Sequence, residues 1–382
     1  MALSRSPAAS RRGGRGAIPG AVTDVKPPRP PRRRARRMIA GTLVLAGLAV
    51  AAHAAAWTWS TGALAVGMSD WVTQRRAEGW TISHQPPTRG GWPFAARVSV
   101  AEVRIETPAR ANEAGIVHQA ARLVVQVAAP RPTHLEVLAD GPQRIELGGT
   151  AIPFAARRFA LAVPLAAGPA PPVELDIAGL EALLPAGPVR LRAARILLHP
   201  GGRLPRPAES EPSVALALQA EGLEPPASPL TAALGAEIEA LSADAVLVGA
   251  QPLRGPPASM AAAWRDAGGV FEIPALALRW GPLQGDAQAS FTLDRALQPR
   301  GRGSLRVAGA PAAVEALARA GLVDASAARS VQTVLMLMSR TPPEGGPPRV
   351  ELPMALTDGT LSAARVPLLR MAPIDWSRPR GW

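Results

Sequence analysis

Along the chain the apolar positions change period in stages. Residues 1 to 37 hold almost no large apolar side chain and are rich in Arg, Pro, Gly and Ser. Such a segment cannot offset its ordering entropy by burial and is expected to be disordered. Met38 to Trp57 is then continuously apolar, MIAGTLVLAGLAVAAHAAAW, with no formal charge and a single histidine, His53. At about 1.5 Å per residue this stretch matches a hydrocarbon core about 30 Å thick. From Thr61 to Glu78 the period is helical: Leu64, Met68, Trp71 and Val72 fall on one stripe, and Gly79 supplies a stop.

After Gly79 the period becomes two. Trp80 and Ile82 alternate with Thr81 and Ser83, a turn-rich stretch follows, and Gly91-Trp92-Pro93-Phe94 opens a strand. Val98 and Val100 share one face; Val103 and Ile105 continue it one residue out of phase, which predicts a β-bulge at Ala101-Glu102. Alternating runs recur at 123–127, 135–138, 144–147, 159–165, 173–177, 189–198, 214–218, 238–248, 270–280, 284–293, 303–307, 350–356 and 361–368. The last two flank Asp358-Gly359, a strong hairpin signal. Helical pieces are expected at Ser259–Ala267, Pro311–Ala320 and from an Asp324 cap to Met338, with Val331, Val334, Leu335 and Met338 on one face and Met336 and Met338 as core filler. The fold class is therefore mainly β with some α: an N-terminal transmembrane helix, then curved, mostly antiparallel sheets with a few packed helices. The expected divisions are a basic tail over 1–37, a span over 38–57, a helix plus N-terminal β half over 58–200, and a C-terminal β-rich half with helices over 213–375, parted at His199 to Pro212.

Charge changes the picture only at the N-terminus. The net charge is +13, but residues 1 to 37 hold eleven basic side chains and one acid, Asp24, leaving 31 basic and 28 acidic residues elsewhere. A nearly neutral body is a poor phosphate binder, so no nucleic-acid partner is expected. Arg36 and Arg37 close the basic cluster directly before the apolar run, which places the N-terminus in the cytoplasm and the body outside it. Trp57 and Trp59 stand where an aromatic belt meets the far interface. A cleaved signal peptide is the alternative, since Ala52-His53-Ala54 fits the small-x-small pattern, although the apolar run exceeds a usual signal core.

The chemistry-bearing residues are scattered. The chain has no Cys, which excludes disulfides, thiol catalysis and thiolate metal sites. His84, His118, His134 and His199 are widely spaced, and no metal, nucleophile-elbow or nucleotide-loop motif occurs. Gly301-Arg302-Gly303 is a lone Gly-x-Gly, and Glu237 and Glu239 read as a solvated strand face. No catalytic, cofactor or metal residue is assigned, and an unrecognised hydrolase is the least favoured class. Trp92 and Phe94 are expected to anchor the sheet in the core, against the Leu64/Met68/Trp71 stripe; a ligand platform is the alternative.

The string Ala77-Glu78-Gly79-Trp80, a turn, then Gly90-Gly91-Trp92-Pro93-Phe94 resembles the bacterial family named domain of unknown function 2125. Trp280-Gly281-Pro282-Leu283 through Leu293-Asp294, Leu297-Gln298-Pro299-Arg300-Gly301, and Gly359 to Pro367 are similar to its C-terminal half. The family is in turn distantly similar to AsmA-type envelope proteins, whose sheets form lipid-holding grooves. Together with the scattered chemistry-bearing residues and the Arg cluster before the apolar run, the expected reading is a non-catalytic inner-membrane protein with a periplasmic body. Its expected role is binding or scaffolding in envelope maintenance, with membrane lipid held on an apolar sheet face. An assembly module that takes an envelope protein partner at a sheet edge is the other class.

Overall fold

The computed structural model describes residues 32–108, 115–129, 131–147, 149–165, 172–200, 213–249, 256–341, 347–364 and 366–376. The basic tail over residues 1–31 and most of the Pro-rich stretches 164–172, 200–212 and 341–348, the candidate linkers, lie outside them. The chain forms two compact units, residues 1–53 and 54–382. The first contains the N-terminal part of one long helix, α1 (Arg32–Ala77). That helix takes in Arg32 to Arg37, six residues that composition assigned to the disordered tail. Arginine is a good helix former, and extending an existing helix avoids the nucleation cost.

The second unit is built on one sheet. Its strands are β1 (Thr81–Ser83), β2 (Thr88–Gly90), β3 (Ala95–Glu106), β4 (Val117–Ala128), β5 (His134–Leu147), β6 (Thr150–Pro164), β7 (Val173–Leu184) and β8 (Gly187–Pro200). They continue as β9 (Ser213–Glu224), β10 (Ile238–Val248), β11 (Val270–Trp280), β12 (Leu283–Leu293), β13 (Pro299–Ala308), β14 (Arg349–Thr357), β15 (Thr360–Ala363) and β16 (Val366–Arg370). From β3 to β16 each strand pairs antiparallel with the next in sequence, while β1 and β2 both pair with β3. The expected division at His199 to Pro212 does not part the sheet. Strands β8 and β9 flank it and are in register from Arg190↔Glu224 to Pro200↔Val214.

The turns follow local chemistry. Asp358 and Gly359 both have positive φ, 50° and 71°, the backbone that a two-residue hairpin requires. Ala364 is also left-handed (φ 47°), and there the expected single run 361–368 breaks into β15 and β16, which pair with each other. Helix α1 ends in a Schellman motif: the Trp80 amide donates to the Arg75 carbonyl, the Gly79 amide donates to Arg76, and Gly79 has φ 89°.

The expected bulge at Ala101-Glu102 is one member of a line that crosses the sheet. Glu102 (φ 51°) and Ala121 lie unpaired between the pairs Ala101↔Arg122 and Val103↔Ala120. Arg157 and Gly179 are passed over in the same way between β6 and β7, then Gly179 and Arg192, Arg192 and Gly222, and Gly222 and Glu239. Alternate strands bend at a left-handed residue: Glu102, Gly141, Gly179 and Gly222. Side-chain parity switches, from Ile177 to Leu180 and from Ala220 to Leu223, while β3 and β4, and β6 through β10, stay in register; at β5 the register shifts by one residue against both β4 and β6.

Four short helices complete the unit: α2 (Pro229–Leu234), α3 (Pro257–Asp266), α4 (Ala310–Arg319) and α5 (Ala325–Met338). Helix α4 packs on both α2 and α5. Helix α5 turns Ala328, Gln332 and Leu335 inward and leaves Val331, Val334, Met336, Leu337 and Met338 exposed. The methionines are thus surface residues rather than core filler. Helix α2 escaped the periodicity reading because six residues show no period, although Ser228 and Thr231 form a full capping box.

Two outcomes test these local devices. Gly179→Ala and Gly222→Ala each force a Cβ into a left-handed backbone beneath an arginine side chain. Each should cost about 1–2 kcal/mol in urea unfolding, and an unchanged midpoint would show that the crease tolerates side chains. The Asp324 carboxylate is held below its usual range by hydrogen bonds from the Ser326 hydroxyl and the Ser326 and Ala327 amides. A depressed carboxylate stabilises the fold in full above its ordinary pKa and loses that contribution as pH falls through the lowered value. The Ser326 amide resonance should therefore titrate below the ordinary aspartate range; titration within or above that range contradicts the capping geometry.

Candidate functional site

The register that joins the strands also sorts their side chains. Paired residues of an antiparallel sheet share a face, so one row can be followed strand by strand. It runs Val98, Val125, Val137, Leu161, Leu175, Ile196, Leu218, Ala243, Leu276, Ala287, Leu305 and Leu352. All twelve, from β3 to β14, are apolar. A second row on the same face runs Phe159, Ile177, Ala194, Ala220, Leu241 and Leu278. A third includes Val173, Leu198 and Leu216. At about 4.8 Å between strands, eleven steps make an apolar track roughly 50 Å long.

The other face is its opposite. The adjacent row reads Asp176, Arg195, Gln219, Ser242, Ala277, Asp286, Arg306 and Glu351 from β7 to β14. Arg195 lies 3.0 Å from both Asp176 and Glu174, and Arg306 lies 3.4 Å from Asp286. The hydrogen bond that Arg195 donates to Asp176, then the charges of Asp176 and Glu174, raise the Arg195 pKa further. An open hollow of about 720 Å³ on this face includes Arg131, Glu136, Arg158, Asp176 and Arg195. Those charges pair with partners on the same face, Arg158 with Glu136 and Arg131 with Glu174, so the hollow is a solvated ion-pair surface.

Among the described residues the apolar track stays partly open beyond its first member. Val98 is fully buried, but every residue of the first row from Val125 to Leu352 keeps partial exposure. An uncovered apolar face of this extent marks a contact surface. Its polar interruption lies past the crease, where His118 and Gln143 bond at 3.2 Å and the His118 ring stacks on Phe154. Gln143 is 3% exposed and its Nε2 has no partner. His84 and His134 bond to neighbouring residues, and among the described residues no group of His, Asp and Glu is placed to hold a metal ion.

The Gly-aromatic residues gather at the junction of α1 and the sheet. The Trp57 indole N–H donates to the Ala95 carbonyl at 2.8 Å, and Trp92 meets the Trp57 ring edge-on at 5.7 Å. The Trp92-Pro93 bond is cis. Gly91 has φ 92°, and a Cβ there would lie 2.6 Å from the Ala95 carbonyl oxygen, so only glycine fits. Further along α1, Trp71 packs edge-on against Trp80, with Arg75 over the Trp80 ring. The expected packing of Trp92 or Phe94 on Leu64, Met68 and Trp71 is not seen: Trp92 chooses Trp57, and Phe94 is 80% exposed. The strand starts one residue later, at Ala95, so the turn rather than the pleat sets the direction of Phe94. Arg36, Arg37 and Trp59 are exposed on α1.

Among the described residues, one apolar helix long enough to cross a membrane, joined to one open antiparallel sheet with an apolar and a charged face, defines the class of this protein. The chain belongs to the family described as an uncharacterized protein conserved in bacteria (DUF2125), whose model matches residues 57–372. No curated protein and no solved structure is significantly similar to it.

The two aromatic positions should respond differently to substitution. Trp57→Phe removes the donor to the Ala95 carbonyl and should cost about 1 kcal/mol in thermal unfolding of the detergent-extracted protein. Phe94→Ala should change stability by less than about 0.5 kcal/mol, as surface substitutions do; a loss of several kcal/mol would mean that Phe94 is packed in solution.

Proposed function

We propose that this protein is a non-catalytic, single-pass inner-membrane protein of the bacterial envelope that holds lipid acyl chains on the apolar face of a periplasmic sheet. The observation that supports this most is the unbroken apolar row from Val98 to Leu352. A soluble protein partner is expected to match such a face with a finite patch and a polar rim. A track one residue type deep and many strands long instead suits flexible hydrocarbon, which needs no directional bonds. The charge-free run Met38 to Trp57 is continuous with the helix that leads into the sheet, so the membrane it would span is a source of lipid. Arg36 and Arg37 before the apolar run support a cytoplasmic N-terminus, so residues 58–382 lie in the periplasm.

Sheet-edge docking of an envelope partner has less support. The outermost strand, β16, is five residues long and contains Pro367, which lacks the amide that edge pairing uses.

The test is lipid mass spectrometry on the purified full-length protein and on Leu175→Asp and Ile196→Asp. These residues pair across β7 and β8 in the middle of the row and are half-exposed, so the variants should fold. A carboxylate under an acyl chain costs several kcal/mol, so bound lipid per protein should fall about tenfold or more. Equal lipid in wild type and variants, beyond the annular lipid of the helix, would remove the sheet from the proposal. A C-terminal alkaline phosphatase fusion should be active; an inactive fusion with a folded body would overturn the periplasmic placement.

A further inference from the structure

We infer that the Trp92-Pro93-Phe94 turn is a second membrane contact, a foot that inserts into the bilayer interface beside the helix. This rests on the membrane span and is independent of lipid carriage on the sheet. Met38 to Trp57 is long enough to cross the hydrocarbon core, which puts Trp57 at its outer boundary. Trp57 is bound to the turn at two points, through its N–H to the Ala95 carbonyl and through its ring to Trp92. Phe94 directly precedes Ala95, so it stands at the same depth as Trp57.

The turn is built rigidly and yet presents apolar rings to solvent. The Ala95 amide donates to the Gly91 carbonyl at 2.8 Å, and the Ala129 amide donates to the Phe94 carbonyl at 3.3 Å. With this backbone fixed, the Phe94 side chain is 80% exposed and Trp92 47%. A water-facing turn has no use for two large exposed rings, whereas the headgroup region favours Trp and Phe. The charge nearby matches an anionic surface: Arg89 and Arg97 flank the turn, and no acidic residue occurs between Glu78 and Glu102. A foot set apart from the helix in sequence would stop the body from pivoting about a single span, and would hold the β3 end of the sheet against the lipid.

The lack of native cysteine makes the test clean. Phe94→Cys in the full chain, labelled with bimane and reconstituted in phosphatidylethanolamine/phosphatidylglycerol vesicles, reports the depth of the turn. Ala186→Cys, in the exposed turn between β7 and β8 at the other strand ends, is the control. The Phe94 probe should emit at shorter wavelength and lose most of its emission to nitroxides near the headgroup. It should respond less to nitroxides at the acyl terminus, and the control should be quenched only by aqueous iodide. A Phe94 probe that behaves like the control overturns the foot. So does one shielded from both iodide and lipid nitroxides, which would mean that protein covers the turn. Because Phe94 is exposed, the variant should melt with the wild type, and either outcome is then read on a folded protein.

Discussion

The backbone ladder of this sheet imposes one demand on everything else: side-chain parity must survive the passage from strand to strand. A slip of one residue in any strand would turn its apolar side chains to the charged face and its charges to the apolar one. Twelve successive strands keep Val98, Val125, Val137, Leu161 and their successors aligned. The crease shows how strictly the demand is met. Glu102, Gly179 and Gly222 bend their strands while the neighbours lose a ladder partner at the same level, so the extra residue is absorbed without a slip; at Gly141 the register of β5 shifts by one against β4 and β6 instead. Arg157 and Arg192 lie over the Cα positions of Gly179 and Gly222, where any larger residue would collide with them.

The two faces of this sheet are solvated unevenly. The charged face is at ease in water, where its Arg–Asp and Arg–Glu pairs are screened and contribute little individually. The apolar face is not, and its half-exposed leucines and valines leave burial incomplete. Folding such a sheet relies on side-by-side contact along rows and on hydrogen bonding between strands more than on a closed core. A lipid chain laid on the face would supply the missing burial, so the stability of the sheet and its proposed ligand are linked through mass action.

Helix α1 changes character along its length. Its first part carries exposed apolar residues such as Leu43, Leu45 and Leu48, compatible with a membrane span. From Trp57 on, Thr61 and Val72 are buried and the helix ends at Trp80 in a Schellman turn. The aromatic joint at Trp57, Trp92 and Ala95 sits where the environment changes, and the Gly91 turn holds it.

The sequence alone determined the apolar span, the switch to period two at Gly79, nearly every strand from β3 onward, the helices capped by Pro or Asp324, and the phase slip at Ala101-Glu102. All of these are written in local spacing and turn chemistry, which act over a few residues. Tertiary structure decided the rest. It joined the halves around His199 to Pro212 into one sheet, because strand pairing depends on partners and not on the composition of the connection. It broke the last run at Ala364, and it exposed Met336 and Met338, because an apolar helical stripe does not reveal whether a neighbour is there to cover it. It turned Phe94 outward, because the Gly91 turn and the Trp57 hydrogen bond fix that backbone before any strand alternation applies. The continuity of the apolar track was also out of reach: each strand discloses its own alternation, but only the register reveals that twelve of them agree.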